Sequence, residues 1–158
     1  IITEKELKTL LKTMLPHSEK AIRDKRNLNI ICEYYMVQLT SLTGLRVSEI
    51  SNVRIKDISE NNIVVIGKGN KKRNIPLGKR SKTLLDEYQT IKREVMKQGL
   101  EPEDYLFINR AGKKYNRFSI RKRFDYWVDQ AGISPHLTYH SLRHFFGTFL
   151  LNNGFNLA

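Results

Sequence analysis

The sequence predicts a mainly α-helical domain with one small three-stranded antiparallel β-sheet. Along most of the chain, apolar residues recur at the helical period of about 3.6 residues. Residues 54–76 differ: they hold short β-branched runs separated by Asn-Asn and Gly-Lys-Gly-Asn, which are typical of hairpin turns. With 158 residues, 40% of them hydrophobic, the chain is long enough for one compact domain with its own core.

Six helices are predicted from this period and from residues that favour helix ends. They cover approximately residues 3–15, 28–42, 47–52, 79–98, 118–131 and 139–153. Thr3 and Glu6 form a capping box at the start of the first helix, which Pro16 and Ser18 are predicted to end. Gly44 suits the C-cap of the second helix.

The predicted strands lie between the third and fourth helices. Their approximate ranges are 54–59, 62–66 and 72–76. Turn residues separate each from the next, so we expect one small antiparallel sheet.

The charge balance indicates a polyanionic partner. Lys and Arg number 28 against 16 Asp and Glu, a formal net charge of +12. A domain this basic typically binds nucleic acid. The single cysteine, Cys32, excludes an internal disulfide and a cysteine-based zinc site. It also fits a reducing compartment, so we expect a cytoplasmic, nucleoid-associated protein.

The segment YHSLRHFFGTFLLNNG places a histidine and an arginine on one face of the last helix. His140 and Arg143 are three residues apart. Arg offers a planar fork for phosphate oxygens, and His exchanges a proton near neutral pH. An exposed basic edge of an ordinary helix is the simpler interpretation. His140 and His144 also have zinc-ligand spacing, but Ser141 stands where the His-Glu-x-x-His motif needs its glutamate.

The segment VIGKGNKKRNIPL places a lysine at a predicted hairpin tip. Lys68 lies between two glycines and is followed by Lys71, Lys72 and Arg73. A solvated basic turn would have this composition. The functional alternative is a mobile lysine that reaches a DNA phosphate or a leaving group, with its neighbours binding DNA.

A third arginine follows the glycine that ends the second helix. In LTSLTGLRVSEI, Arg46 lies at the junction with the third helix, and the turn can direct its side chain inward. Glu49, three residues later, is expected to support its guanidinium. With the other two motifs, Arg46 predicts the third part of an anion-binding site.

These motifs, TGLRVSEI, GKGNKKRNIPL and HSLRH followed by NNG, resemble in this order the catalytic domain of tyrosine recombinases, the phage integrase family. The resemblance implies catalytic roles for Arg46, Lys68, His140 and Arg143. It also implies a mainly helical domain that forms half of a C-shaped clamp on double-stranded DNA. Members cleave DNA without metal or cofactor through a 3′-phosphotyrosine, and they assemble as tetramers of recombinase subunits on DNA.

The chain departs from this family at the nucleophile. Members place a further His or Trp and then the tyrosine a few dozen residues beyond the second arginine, whereas this chain ends 15 residues after Arg143. None of its seven tyrosines matches that place. We therefore expect a C-terminally incomplete catalytic domain over residues 1–158, inactive alone and without the N-terminal core-binding domain; the final FNLA resembles the first turn of another helix. His136 is a second candidate for the histidine, but the spacing to Arg143 favours His140.

Two functions are compatible with these features. The first is a site-specific recombinase or integrase whose nucleophile lies beyond this chain. The second is a non-catalytic DNA-binding module that occupies sites or regulates a recombinase. A metal-dependent nuclease is disfavoured because the sequence shows no carboxylate cluster for Mg²⁺.

Overall fold

A computed structural model describes the backbone of residues 1–153 and the side chains of residues 1–146. The described residues form a mainly helical domain with a two-stranded antiparallel sheet. The helices are α1 (Glu4–Asp24), α2 (Leu28–Thr43), α3 (Val47–Asn52), α4 (Lys79–Met96), α5 (Arg117–Ala131) and α6 (Tyr139–Asn153), and the strands are β1 (Asn62–Ile66) and β2 (Lys72–Pro76). The predicted mainly helical class is confirmed. The expected helix start in FNLA lies outside the described residues.

The predicted strand at residues 54–59 is wrong, whereas those at 62–66 and 72–76 are present as β1 and β2. β1 pairs with β2 from Asn62 opposite Pro76 to Ile66 opposite Lys72, but residues 55–57 form a short 3₁₀ helix. The Asp57 carboxylate accepts a hydrogen bond of 2.9 Å from the Arg54 backbone N–H, which closes this turn. Such side chain to backbone bonds compete with strand pairing. The segment keeps only isolated bridges, such as the one between Ile58 and Ile63.

Helix α1 continues beyond the predicted stop at Pro16 and Ser18 and ends at Asp24. A proline inside a helix costs about 3 kcal/mol because it removes one hydrogen bond and crowds the preceding turn. The buried face of α1 extends from Met14, before the proline, to Ser18 and Ala21 after it. Burial of this face against α2 and α5 offsets the cost of the proline. The predicted capping box of Thr3 and Glu6 is present.

Helix α2 lies at the centre of the domain. It packs against α1, α4, α5 and α6, and residues on several sides of it are buried, including Ile31, Cys32, Tyr35 and Leu39. Its C-terminus at Thr43 is therefore held in place by the core. The backbone of the residues that follow, Gly44 to Arg46, therefore starts from a fixed position. Among residues 1–153, no helix is long and apolar enough to span a membrane.

Candidate active site

The turn after α2 fixes the position of Arg46. Gly44 adopts a φ of 73°, in the left-handed region that favours glycine, and its N–H donates to the Thr40 carbonyl over 2.8 Å. Leu45 is fully buried. Arg46 then caps α3, and its backbone N–H donates to Glu49 Oε1 at 2.8 Å. Its side chain remains 52% exposed, so an anchored backbone presents a guanidinium to solvent.

Helix α6 brings a second arginine to the same turn. Arg143 Nη1 donates to the Gly44 carbonyl oxygen at 2.7 Å. The ring of Phe146 lies against Gly44 so closely that a Cβ there would overlap it. Arg46 and Arg143 are therefore both positioned by the Gly44 turn, the first through the chain and the second through a hydrogen bond.

The two arginines open onto a cavity of about 220 Å³. We call it the arginine cleft; it is lined by Arg46, Arg117, Arg121, His140 and Arg143, with Leu45, Val47, Ser48 and Tyr139. It brings together three of the four residues predicted to be catalytic, from the turn before α3 and from α6. Lys68 is not among the residues that line it.

Arg117 and Arg121 were not predicted from the sequence to be site residues. They lie one turn apart on α5, where Ile120 and Phe124 are buried. The helical period predicts that Arg117 and Arg121 share a face. It does not predict that this face meets α3 and α6, because that depends on tertiary packing.

The cleft favours the neutral form of His140. Burial lowers the pKa of the imidazole below its usual 6.5, and the charges of His144, Arg143, Arg121 and Arg46 lower it further. The rings of His140 and His144 meet edge to face, with their centroids 4.5 Å apart. Burial and the nearby charges both favour the neutral imidazole of His140. It can accept a proton or donate the one it holds on nitrogen.

The sequence left two further interpretations of the histidines: a zinc site, and His136 in place of His140. Within residues 1–146, His, Cys, Asp and Glu side chains form no group of three or more that could hold a metal ion. His136 lies in the exposed loop before α6 and does not line the arginine cleft.

The support given by Glu49 differs from the expected arrangement. Its carboxylate is buried, with 1% of the side chain exposed, and accepts hydrogen bonds from Arg73 Nε at 2.8 Å and Nη2 at 2.6 Å. Arg46 Nη1 lies farther away, 3.7 Å from Glu49 Oε2. Burial alone would raise the pKa of Glu49, but the hydrogen bonds from Arg73 and the Arg46 backbone outweigh it and lower that pKa. The main partner of Glu49 is thus Arg73, which the sequence predicted to bind DNA.

The predicted basic hairpin is exposed beside the site. Lys68 lies in a short 3₁₀ turn (Lys68–Asn70) between β1 and β2, where Gly69 has a φ of 75°. Lys68, Lys71 and Lys72 are exposed. Among the described residues, the Lys68 ammonium makes no hydrogen bond or ion pair. Arg73 on β2 ties this hairpin to Glu49 and so to the start of α3.

None of the seven tyrosines presents its hydroxyl to the arginine cleft. Tyr139 lines the cleft, but its hydroxyl turns into the core and donates to the Met36 carbonyl at 3.1 Å, and burial raises its pKa. Tyr88 donates to the Leu106 carbonyl at 2.6 Å, and Tyr115 to Glu33 at 2.7 Å. Tyr35 bonds to Glu87. Tyr34, Tyr105 and Tyr126 do not line the cleft.

Comparison with known proteins gives a consistent match. The model of the phage integrase family matches residues 1–158. The tyrosine recombinase XerD of Chlamydia muridarum is 39% identical over 111 residues, covering 70% of this chain and 36% of XerD. The tyrosine recombinase XerC of Staphylococcus epidermidis is 33% identical over 156 residues, covering 98% of this chain and 49% of XerC.

Solved structures show the same relationship. The crystal structure of XerA recombinase superimposes with a TM-score of 0.72 and 28% identity, covering 97% of this chain and 51% of XerA. That of the XerH site-specific recombinase bound to its difH substrate before cleavage has a TM-score of 0.66 and 27% identity, covering 97% of this chain and 43% of XerH. The chain thus spans about half the length of these proteins or less.

Proposed function

The chain belongs to the phage integrase family, and on that premise we propose that it is the catalytic domain of a site-specific tyrosine recombinase. The observation that carries the proposal is the convergence of Arg46, His140 and Arg143 on one cleft. The substrate is double-stranded DNA, and the reaction transfers a strand through a 3′-phosphotyrosine. The place of action is the nucleoid.

The two arginines suit the stabilisation of a phosphoryl transition state. A phosphodiester gains negative charge on its nonbridging oxygens as the nucleophile attacks. Arg46 and Arg143 offer guanidinium donors from separate elements that are both tied to the Gly44 turn. Donors positioned in advance need no reorganisation when the charge develops, and removing one such donor typically costs about 10²–10³ in rate.

Proton transfer completes the step. The tyrosine hydroxyl loses its proton to a base and its oxygen forms a bond to phosphorus, while the bond from phosphorus to the 5′ oxygen breaks and that oxygen takes a proton. Lys68, on its exposed hairpin, donates this proton, while neutral His140 assists as acid or base. The covalent link conserves the phosphodiester energy, so a 5′-hydroxyl of another strand reverses the reaction and joins to it.

We propose that the attacking tyrosine lies in sequence beyond residue 158 and that a core-binding domain precedes residue 1. The related XerH was solved on its difH DNA, and we extend that partner class to this chain. Other recombinase subunits, four on a synapsed pair of DNA sites, are the second partner.

A covalent-adduct assay tests the proposal. Binding sites are first selected from a random duplex pool with protein from the gene extended past Ala158. The selected duplex is then nicked so that cleavage releases a short fragment and traps the adduct. We expect a protein–DNA adduct with the extended protein and none with residues 1–158. If the extended protein binds the selected DNA but never forms the adduct, the protein is a DNA-binding module instead.

A further inference from the structure

The arginine cleft holds more positive charge than one phosphate requires. Arg46 and Arg143 come from the Gly44 turn and from α6, and Arg117 and Arg121 from α5. Among the described residues, no Asp or Glu side chain lines the cleft. The Glu49 carboxylate lies 3.7 Å from Arg46 Nη1, but both of its oxygens are already hydrogen-bonded to Arg73. Four guanidinium groups thus surround about 220 Å³ with almost no counter-charge.

Arg117 and Arg121 are the two arginines of this set whose side chains form no hydrogen bond and no ion pair within the described residues. Arg123, two residues after Arg121 on α5, is in contrast bound to Glu33 over 2.8 Å. Arg121 and His140 line the same cleft, and the charge of Arg121 contributes to the lowered pKa of His140. The charge of Arg121 therefore adds repulsion to the cleft, and no carboxylate among residues 1–146 pairs with it.

We propose that the arginine cleft holds two successive phosphates of one DNA strand, the second of them bound by Arg121. This inference rests on the proposed function, which assigns the reacting phosphate to Arg46, His140 and Arg143. One phosphodiester carries a single negative charge and cannot balance the guanidinium groups present. Successive phosphates of a strand recur at a rise of about 3.4 Å, so an anion of the same kind always lies next to the reacting one.

The salt dependence of DNA binding counts these phosphates. Each neutralised phosphate contributes about −0.9 to the slope of log K against log salt concentration. The probe is a fluorescein-labelled duplex of about 30 base pairs, bound to the 158-residue chain between about 50 and 200 mM salt. The variants are Arg46→Gln, Arg121→Gln and the double variant. We expect each single change to reduce the slope by about 0.9 and the double change to reduce it by about 1.8.

Two controls make the count specific. Arg23→Gln removes one charge from an exposed arginine of α1 that does not line the cleft, and it should leave the slope unchanged. Arg121→Lys keeps the charge and should retain most of the slope. Thermal unfolding of each variant verifies that the fold is retained.

The outcomes separate this inference from the proposed function. The proposal fails if the double variant reduces the slope no more than Arg46→Gln alone. It also fails if Arg23→Gln reduces the slope as much as Arg121→Gln, and in either case Arg121 binds no second phosphate. If the unmodified chain shows a flat salt response, the proposed function itself fails.

Discussion

Helix α5 contributes arginines to two regions that use them in opposite ways. In the first, which we call the Glu33 cluster, Arg123 Nε and Trp127 Nε1 each donate to Glu33 Oε1 at 2.8 Å, and the Tyr115 hydroxyl donates to Oε2 at 2.7 Å. Glu33 is buried. In the second, the arginine cleft, the Arg121 side chain has no hydrogen-bond or ion-pair partner among residues 1–146. Positions 121 and 123 differ by about 200° around the helix, so the two side chains leave on nearly opposite sides.

The comparison separates structural charge from functional charge. A buried carboxylate is tolerated only when its oxygens are satisfied, and three donors achieve that for Glu33. The cluster therefore holds α5 against α2. Arg117 and Arg121, which have no ion-pair partner within the described residues, repel the other arginines of the cleft and lower the free energy of unfolding, and a bound anion would relieve this repulsion. On the proposed function, that anion is a DNA phosphate.

The largest expected effect is on catalysis. In the extended protein, Arg143→Ala should slow adduct formation by at least about 10²–10³, because a transition-state donor is lost. DNA affinity should change only a few-fold. Trp127→Phe, which removes one donor of the Glu33 cluster, is the matched comparison and should leave the cleavage rate unchanged. Equal losses from both changes would abolish the distinction between the two regions.

The next effect is on stability. Glu33→Gln removes the buried charge and leaves Arg123 without its ionic partner, so the free energy of unfolding should fall by about 3 kcal/mol. Urea denaturation measures it, with Glu4→Gln on the exposed start of α1 as the control. A change below about 0.5 kcal/mol, the usual range for surface substitutions, would show that the Glu33 cluster is not structural.

A smaller effect separates two glycines with positive φ. Gly44→Ala and Gly132→Ala both place an alanine in the left-handed region, at φ of 73° and 65°, which costs about 1–2 kcal/mol. A Cβ on Gly44 would also overlap the ring of Phe146, whereas one on Gly132 would meet no atom within 4 Å. Thermal unfolding should therefore show a larger loss for Gly44→Ala. An equal loss would mean that Phe146 does not position the turn of Arg46.

The smallest effect is on the titration of His140. Burial and the neighbouring charges of His144 and three arginines lower its pKa below 6.5, so the unfolded chain takes up this proton first. This group therefore reduces stability as the pH falls through about 6.5, and the penalty is complete below the pKa of the folded state. In NMR titrations of the imidazole, Arg121→Gln should raise the pKa because it removes one repulsive charge. An unchanged value would place Arg121 too far from His140 to share the cleft.

The sequence predicted those features that have a local cause. Gly44 marked the turn that carries Arg46, and the spacing of His140 and Arg143 placed them on one face, so these three cleft residues were candidates from the sequence. Arg121 was missed because its role depends on how α5 packs against α6. Glu49 was identified as a support, but its main partner is Arg73 on β2, 24 positions away. Pro16 did not end α1, because the packing of the buried face of this helix continues beyond it. Residues 54–59 did not form a strand, because the Asp57 side chain closes a 3₁₀ turn there.

The most direct test of this account is an NMR map of the chain titrated with duplex DNA. Trp127 is the single tryptophan, so its indole N–H reports on the Glu33 cluster alone. We predict the largest shifts at residues 46–48, 117–121 and 139–143, with the Trp127 indole signal unmoved. Shifts centred on the Glu33 cluster, or an arginine cleft that does not respond to DNA, would contradict the account.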